Sequence, residues 1–445
     1  MKPRELEEDP VGVPEEAKQA GEAQGRWSWV EPSVWTERML MALETGVKGG
    51  KWYSLIDKVS SVPTLRLAFA QVRRNRGSAG VDRVTIGMFG EHLEENLQCL
   101  SESLRDGTYR PQAIRRVWIP KPGGHEKRPL GIPTVRDRVV QTALRVVLEP
   151  IFERDFAAQS YGFRPGRSAK DALRRVDELL NAGYTHVVDA DLQSYYDTIP
   201  RQPLLERIQA KVADGKILSL LEMYLGQEVL ESAKHWIPEQ GTPQGAVISP
   251  LLSNLYLDPL DHQMAQRGYE MVRYADDFVL LCRSQHEAQR ALAEVEAWVG
   301  SAGLRLHPAK TRIVDATESE GFDFLGYCFK RGRHWPSRKS LGKLKDKIRA
   351  KTKRSNGHSL QRIISELKPI QRGWFEYFKH SPWITFETLD GWLRMRLRSI
   401  LRHRQGRRGR ALGKDHHRWP NLFFAELGLF SFATAHAQAR QSSRR

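Results

Sequence analysis

Cysteine and long apolar stretches are both scarce in this chain of 445 residues. Its three cysteines, Cys99, Cys282 and Cys328, lie far apart. Their number excludes a four-cysteine zinc site, and their spacing is typical of a reduced cytoplasmic protein. No apolar run reaches the roughly 18 residues that a membrane-spanning helix needs, and the N-terminus MKPRELEEDP has no apolar signal core. We therefore expect neither membrane insertion nor secretion.

Acidic residues are outnumbered by basic ones. The sequence holds 53 aspartates and glutamates against 70 lysines and arginines, which gives a net charge of +17. This excess predicts a polyanionic partner such as nucleic acid, because each phosphate that a protein neutralises releases counterions. A basic surface that is merely solvated is the alternative.

Shifts in composition divide the chain into five segments. Seven acids and few large apolar residues at the start predict a disordered acidic leader. Helical apolar periodicity follows, and after it predicted strands and helices alternate, which indicates an α+β core. The next segment is helical and strongly basic, and a C-terminal segment either docks on it or binds nucleic acid. The five segments are residues 1–25, 26–110, 111–329, 330–410 and 411–445.

Local patterns predict individual elements within this order. Apolar alternation and turn residues indicate strands, and a period of 3.6 residues indicates helices. The predicted strands are residues 117–124 and 184–192, the predicted hairpin is 271–282, and the predicted helices are 139–152, 204–225 and 287–302, in addition to helices between residues 27 and 110.

Two clusters of acidic residues stand in apolar surroundings. Asp189 and Asp191 end a predicted strand, and Asp276 and Asp277 lie in the middle of the predicted hairpin. Burial of an unpaired carboxylate is costly, and neighbouring carboxylates add repulsion. Mg²⁺ relieves both because it prefers carboxylate oxygens, and two such ions about 3.5–4 Å apart support nucleotidyl transfer. A solvated Asp-Asp turn is the alternative for the hairpin.

Six ordered motifs resemble those of one polymerase family. Tyr274-Ala-Asp-Asp277 resembles the YADD box of reverse transcriptases, and Asp191-Leu-Gln-Ser-Tyr-Tyr-Asp197 resembles their first palm motif. The order and spacing of the six resemble those of bacterial group II intron-encoded reverse transcriptases, or maturases. The other motifs are residues 119–124 with 127–133, residues 161–168, residues 241–245 with 248–254, and residues 324–327.

The resemblance implies a right-hand polymerase fold. Residues 26–110 would form an N-terminal extension and part of the fingers, and residues 111–329 the fingers and a palm with a ferredoxin-like antiparallel sheet. Residues 330–410 would form a helical thumb that is also the maturase domain. Some family members end in an HNH endonuclease with paired cysteines. No such pair occurs here, so we expect a chain that lacks the nuclease.

The resemblance assigns catalysis and metal binding to the acidic clusters. Asp191, Asp276 and Asp277 would hold two Mg²⁺ ions, or Mn²⁺ in their place. Asp189 remains an alternative ligand, because a side chain two residues away on a strand faces the same side as Asp191.

Five residues match the family's contacts to the incoming dNTP. Arg128 would grip the triphosphate through a bidentate fork and Lys121 as a point charge, although both could belong to a solvated basic loop. Tyr196 matches the position whose ring excludes a 2′-hydroxyl, with an ordinary core tyrosine as the alternative. Gln244 lies in a turn that would contact the nucleotide, and Lys310 matches a palm lysine near the triphosphate.

Further cationic residues predict contacts to nucleic-acid backbones. The implied activity is RNA-directed DNA synthesis on group II intron RNA, with a maturase role in splicing and retrohoming. The implied partners are intron RNA, an RNA template with a DNA primer, target DNA and dNTPs. The protein would act as a monomer or homodimer in the bacterial cytoplasm, at the nucleoid. A maturase that only binds RNA, and a relative recruited for host DNA repair or phage defence, remain alternatives. The predicted nucleic-acid contacts are Arg164, Arg167, Lys343, Lys347, Arg394, Arg398, Arg402, Arg407 and Arg408.

Overall fold

A computed structural model describes most of the chain: residues 26–47, 49–120, 127–231, 234–407, 409 and 413–442. The predicted leader, and the site residues Lys121 and Arg408, lie outside these ranges. Within them, no helix combines the length and the apolar character needed to cross a lipid bilayer.

Helices fill the N-terminal region, as its periodicity predicts. The helix Val62–Asn75 buries Leu65, Phe69 and Val72 on one face, and the Ser61 side chain caps its N-terminus. The helices of this region are α1 (Glu37–Thr45), α2 (Ile56–Val59), α3 (Val62–Asn75), α4 (Ile86–Glu91) and α5 (Leu93–Arg105).

Strands and helices alternate through the middle of the chain. They confirm the predicted helices 139–152 and 287–302 and the predicted hairpin. The elements, in chain order, are β1 (Ile114–Pro120), β2 (Lys127–Ile132), α6 (Val135–Glu153), α7 (Ala169–Asn181), β3 (His186–Asp191), α8 (Tyr195–Thr198), α9 (Arg201–Gln209), α10 (Gly215–Leu225), β4 (Val229–Glu231), β5 (Lys234–Trp236), α11 (Ser249–Gln266), β6 (Glu270–Tyr274), β7 (Asp277–Cys282), α12 (Gln285–Ser301), β8 (Arg312–Asp315), β9 (Phe322–Phe324), β10 (Tyr327–Lys330) and β11 (Arg333–Pro336).

The central sheet has the strand order β6-β7-β3-β8 and is antiparallel throughout. Successive residues of a strand point to opposite faces. Val188 and Ala190 of β3 therefore join the large core with α11 and α12. Val187 joins a second core with α7 and a small sheet of order β11-β10-β9. The central sheet is thus covered on both faces.

A second four-stranded sheet, of order β2-β1-β4-β5, forms the fingers region. β1 pairs antiparallel with β2 and parallel with β4. The strand predicted for residues 117–124 is confirmed up to Pro120, and residues 121–124 lie outside the described ranges.

The helix predicted over residues 204–225 is wrong as a single element, because the chain forms α9 and α10 instead. Asp214 separates them by capping α10. Its carboxylate accepts hydrogen bonds from the amides of Lys216 at 3.0 Å and Ile217 at 3.2 Å. It also accepts one from the Ile56 amide at 2.8 Å, a contact to a distant part of the chain. Apolar periodicity runs through both helices and conceals the break.

The C-terminal third is helical and has a core of its own, built on Leu344, Ile348, Leu367 and Phe386. The last helix, Phe432–Ser442, packs on the helix Trp383–Arg404. There the Asp390 carboxylate accepts a hydrogen bond from the Phe432 amide at 3.0 Å. The helices are α13 (Arg338–Lys351), α14 (Leu360–Phe378), α15 (Trp383–Arg404), α16 (Gly413–Arg418), α17 (Asn421–Glu426) and α18 (Phe432–Ser442). The predicted fold class, an α+β fingers and palm followed by a helical thumb, is confirmed.

Candidate active site

The acidic clusters meet at one edge of the central sheet. In the antiparallel register, Asp191 of β3 lies directly opposite Asp277 of β7, which lies directly opposite Tyr274 of β6. Opposite residues share a face, with Cβ atoms about 4.5–5.5 Å apart. Asp276 occupies the turn between β6 and β7. Asp189 instead lies opposite Val279, farther from the turn, which favours Asp191 as the ligand.

A buried arginine braces this turn from behind. Ala275 has φ +60°, a strained value for a residue with a Cβ. The fully buried guanidinium of Arg273 donates to the Ala275 carbonyl at 2.9 Å and to the Asn254 side-chain oxygen at 2.9 Å. It also forms an ion pair with Asp261, which is fully buried too. The hairpin that carries Asp276 and Asp277 is therefore held by a network that spans β6 and α11.

Burial and repulsion disfavour the charged forms of these carboxyl groups. Burial is the main cause that raises the pKa of Asp277 to about 7, and the charges of Asp189, Asp276 and Asp191 raise it further. Burial also raises the pKa of Asp276, and repulsion from Asp191 contributes. A cation bound at this edge would remove the repulsion.

The donor chemistry fits a hard divalent cation, which prefers carboxylate oxygens. Among the described residues, however, no three His, Cys, Asp or Glu side chains are gathered closely enough to hold a metal ion. Cationic side chains stand beside the carboxylates instead. Lys310 Nζ bonds to the Asp191 carboxylate, and Arg312 Nε lies 3.4 Å from Asp189. Asp191 would exchange its lysine partner for the ion on binding.

The loop that carries Gln244 joins the palm to the fingers. The Thr242 amide donates to the Tyr196 carbonyl at 2.7 Å, and the Gly131 amide of β2 donates to the Gln244 carbonyl at 2.6 Å. Gly241 has φ +91°, and a Cβ there would lie 2.7 Å from the Tyr196 carbonyl oxygen. Only glycine fits so closely. The structure thus places Gln244 next to the strand that carries Arg128, and the same loop is bonded to the Tyr196 backbone.

Basic residues of α13 lie near Arg128 of β2. The pKa of Lys343 on α13 is lowered by burial and by the positive charges of Lys339, Arg128 and Lys347. Lys339, Lys343 and Lys347 are four residues apart and share one helix face. Lys343 and Lys347 are exposed. Arg128 therefore lies near enough to this lysine row for its positive charge to act on Lys343.

The prediction that Arg164 contacts nucleic acid is wrong. Its side chain is 3% exposed and forms an ion pair with Glu153 at 2.7 Å. Its guanidinium also donates to the carbonyls of Ala157 and Ser160. A buried arginine with these partners stabilises the fold and has no N–H left for a phosphate. Arg167 donates to the carbonyls of Ala158 and Ser160 and is half-buried.

The prediction for Arg398 is also wrong. This arginine is buried, and it donates to the Trp419 carbonyl at 2.9 Å and to the Asn421 side chain at 2.8 Å. It ties α15 to the C-terminal helices. Arg402 forms an ion pair with Asp415 at 2.8 Å. Arg394 is half-buried and Arg407 is exposed, so their predicted contacts stay predictions.

Phe163 lies next to this site and within the motif of residues 161–168, although the sequence analysis assigned it no role. Its backbone has φ +57°, its side chain remains 51% exposed, and its ring centroid lies 6.3 Å from that of Tyr274. The loop around it is fixed, since a Cβ on Gly162 would lie 2.3 Å from the Ala275 nitrogen. A left-handed phenylalanine leaves no sequence signal, because that conformation normally calls for glycine or asparagine.

Two protein-family models match the chain. The family described as reverse transcriptase (RNA-dependent DNA polymerase) matches residues 119–329. The family described as group II intron, maturase-specific domain matches residues 341–419. The first match contains the acidic edge of the sheet, and the second contains Lys343 and Lys347 of the lysine row on α13.

Curated relatives carry the same region. Protein YkfC of Escherichia coli (strain K12) is 36% identical over 293 residues, which cover 57% of this chain and 76% of YkfC. The group II intron-encoded protein LtrA of Lactococcus lactis subsp. cremoris is 37% identical over 202 residues, or 45% of this chain and 33% of LtrA. This chain thus spans about a third of the length of LtrA.

Among solved structures, a partial Cas6-RT-Cas1–Cas2 complex matches 55% of this chain and 42% of that chain, at 24% identity and a TM-score of 0.36. The fold class rests on the matched families and on the sheets and helices described above.

Proposed function

This chain belongs to the reverse transcriptases that carry a group II intron maturase domain, and from that premise we propose that it extends a DNA primer on an RNA template at the edge formed by Asp191, Asp276 and Asp277. Membership confirms the predicted enzyme class, RNA-directed DNA polymerase. The observation that carries the proposed site is the register that sets Asp191 opposite Asp277, next to the hairpin turn.

Asp191, Asp276 and Asp277 would hold the divalent cations that the family uses, Mg²⁺ or Mn²⁺. The chemistry that such ions supply is stabilisation of the attacking and leaving oxygens. Lys310 would release Asp191 and turn to the triphosphate. Arg128 would grip the same group through its two-pronged guanidinium.

Substrate selection would fall to the palm and the loop packed on it. The Tyr196 ring is half-buried and contacts the Tyr195 ring edge-on, with the ring centroids 5.6 Å apart. It would lie under the sugar and exclude a 2′-hydroxyl. Gln244 would contact the nucleotide from the loop that bonds to Gly131. Lys121 would add a second charge at the triphosphate.

The duplex of template and primer would lie between Arg128 and the lysine row, whose positive charges would neutralise its phosphates. Lys343, Lys347, Arg394 and Arg407 would contact its backbone or that of a bound RNA, with Arg167, Arg402 and Arg408 as weaker candidates. The N-terminal extension and part of the fingers would be residues 26–110, and the fingers and palm would be residues 111–329. The thumb would be residues 330–410, and the docking segment would be residues 411–445.

Group II intron RNA is the proposed natural partner, in splicing and retrohoming, with target DNA and dNTPs as further substrates. The maturase-specific match supports this choice. We place the protein in the bacterial cytoplasm, at the nucleoid, as a monomer or homodimer. Recruitment for host DNA repair or phage defence would use the same chemistry with another partner.

Primer extension tests the proposal. Purified protein with Mg²⁺ and dNTPs should lengthen a labelled DNA primer on an RNA template. Asp276→Asn should reduce extension by about 100-fold or more, because the site loses a charge that faces the reacting phosphate, while duplex binding persists. Asp315→Asn is the matched control, since Asp315 ends β8 opposite His186, at the other end of the sheet. Absent extension by the unsubstituted protein would leave an RNA-binding maturase as the function.

A further inference from the structure

A tight turn between β9 and β10 lies against the catalytic hairpin. Leu325 and Gly326 both adopt left-handed conformations, with φ +48° and +84°. Leucine pays a steric penalty there, so the surroundings must hold the turn in place. β9 packs on β7, and Leu325 packs in the same apolar cluster as Tyr274, the cross-strand neighbour of Asp277.

The thumb grips both carbonyl groups of this turn. The Tyr377 hydroxyl, near the end of α14, donates to the Leu325 carbonyl at 2.8 Å. The Gly326 carbonyl accepts from the Ser337 amide and the Ser340 hydroxyl, each at 2.9 Å, at the start of α13. Two thumb helices are thus bonded to two consecutive peptide groups.

The turn also lies close to the strand that carries Asp277, because β9 packs on β7. Burial is the main cause that raises the pKa of Asp277, and the Leu325 backbone lowers it slightly. Burial is the main cause that raises the pKa of Tyr377 to about 12, and Tyr274 and then Asp277 raise it further. The strand that carries Asp277 and the Tyr377 hydroxyl therefore contact the same turn.

The sheet formed by β9, β10 and β11 in turn holds Tyr377 in place. The Tyr327 hydroxyl donates to the Tyr377 carbonyl at 2.7 Å, and the Tyr327 ring lies 4.9 Å from that of Phe378. A Cβ on Gly326 would lie 3.0 Å from Ser340 Oγ, so the turn and α13 are in close contact. The bonds run in both directions, and this makes the junction a rigid unit.

We propose that Tyr377 is a positioning residue, which holds the Leu325–Gly326 turn against the catalytic hairpin and so transmits the placement of the thumb to Asp277. This proposal rests on the proposed function. The hydroxyl touches no reacting atom. Its loss releases the Leu325 carbonyl and lets the turn move away from Asp277. The lysine row that would bind nucleic acid lies on α13, and the first residues of α13 hold the same turn. Binding of the duplex to the lysines is therefore connected to the position of the Asp277 carboxylate through the Leu325 and Gly326 peptide groups.

Tyr377→Phe is the test, with Tyr256→Phe as the matched control. Tyr256 also donates its hydroxyl to a backbone carbonyl, that of Ala302 at 2.6 Å, but it lies on α11, behind the central sheet. Single-turnover incorporation of one dNTP should slow by about 10- to 100-fold in Tyr377→Phe, as expected when a reacting geometry is misplaced. The apparent dNTP affinity and the duplex affinity should not change. Ser340→Ala should give a smaller effect, because the Ser337 amide still holds Gly326.

A second measurement does not depend on turnover. Binding of Mn²⁺ alone, followed by electron paramagnetic resonance, should weaken in Tyr377→Phe and stay unchanged in Tyr256→Phe. Equal losses in the two variants, or a normal rate and normal Mn²⁺ binding in Tyr377→Phe, would overturn the proposal. If the unsubstituted protein extends no primer, the proposed function fails instead, and Mn²⁺ binding still tests the role of Tyr377.

Discussion

Asp191 and Asp277 face each other directly across the neighbouring antiparallel strands β3 and β7. A shift of one residue in this pairing would send one of the two side chains to the opposite face of the sheet. The apolar residues that alternate with them, Val187 and Val188 on one strand and Val279 and Leu280 on the other, fix the register by packing into two different cores. The geometry of the site therefore depends on core packing well away from it.

Tyr196 should control the choice of sugar. In Tyr196→Val the bulk beneath the ribose is lost, so discrimination against rNTPs should fall by about 10- to 100-fold, the range that a shape-based pocket supplies. The ratio of kcat/KM for a dNTP and the matching rNTP measures it. Tyr196→Phe keeps the ring and should keep the ratio. Unaltered selectivity in Tyr196→Val would make Tyr196 an ordinary core residue.

The lysine row on α13 should set the salt dependence of duplex binding. Each lost phosphate contact reduces the slope of log K against log salt by about 0.9, so Lys343→Gln with Lys347→Gln should reduce it by about 2. Fluorescence anisotropy at several salt concentrations measures the slope. Lys51→Gln with Lys58→Gln removes the same charge from the N-terminal region and should not change it. Equal slopes in both double variants would mean that the row acts only through net charge.

Arg164 should matter for stability and not for nucleic-acid binding. In Arg164→Leu the Glu153 carboxylate loses a buried partner, which costs about 3–5 kcal/mol of unfolding free energy. Arg174→Ala removes an exposed arginine, paired with Asp171 at 3.1 Å, on the neighbouring helix α7, and should cost less than about 1 kcal/mol. Urea denaturation gives both values. If Arg164→Leu were as stable as the unsubstituted protein and bound the duplex poorly, Arg164 would contact nucleic acid, as the sequence analysis predicted.

Glu149 on α6 should make the protein less stable as pH rises. Burial, partly offset by Arg145, raises its pKa from 4.5 to about 7, and the charge of Glu153 contributes. The folded state therefore binds the proton more tightly than the unfolded state. The contribution of Glu149 to the free energy of unfolding is complete below pH 4.5 and is lost as the pH rises through 7. The side chain is 18% exposed, so the loss amounts to about 3 kcal/mol at most.

Comparison with Glu149→Gln isolates this contribution from that of other carboxyl groups. The urea midpoint of the unsubstituted protein, relative to that of the variant, should fall between pH 5 and pH 8. A constant difference between the two proteins across this range would show that Glu149 keeps an ordinary pKa.

Local sequence patterns determined the strands, the hairpin and the acidic edge of the site. The alternation around Asp276 and Asp277 specifies two strands and a turn within twelve residues, and the apolar strand before Asp191 must pair somewhere in the same core. Their meeting followed from the resemblance to known motifs, and the register confirmed it. The break at Asp214 could not be predicted, because the Ile56 amide that shares its carboxylate is distant in sequence.

The sequence by itself determined which charges this protein carries, and only the tertiary structure decided which of them remain available to a ligand. Arg164 and Lys343 look alike in a basic sequence. The first is enclosed by Glu153 and backbone carbonyls, whereas the second lies exposed on a helix near Arg128. The difference arises because burial and pairing depend on contacts between residues far apart in the chain, which composition and spacing do not specify.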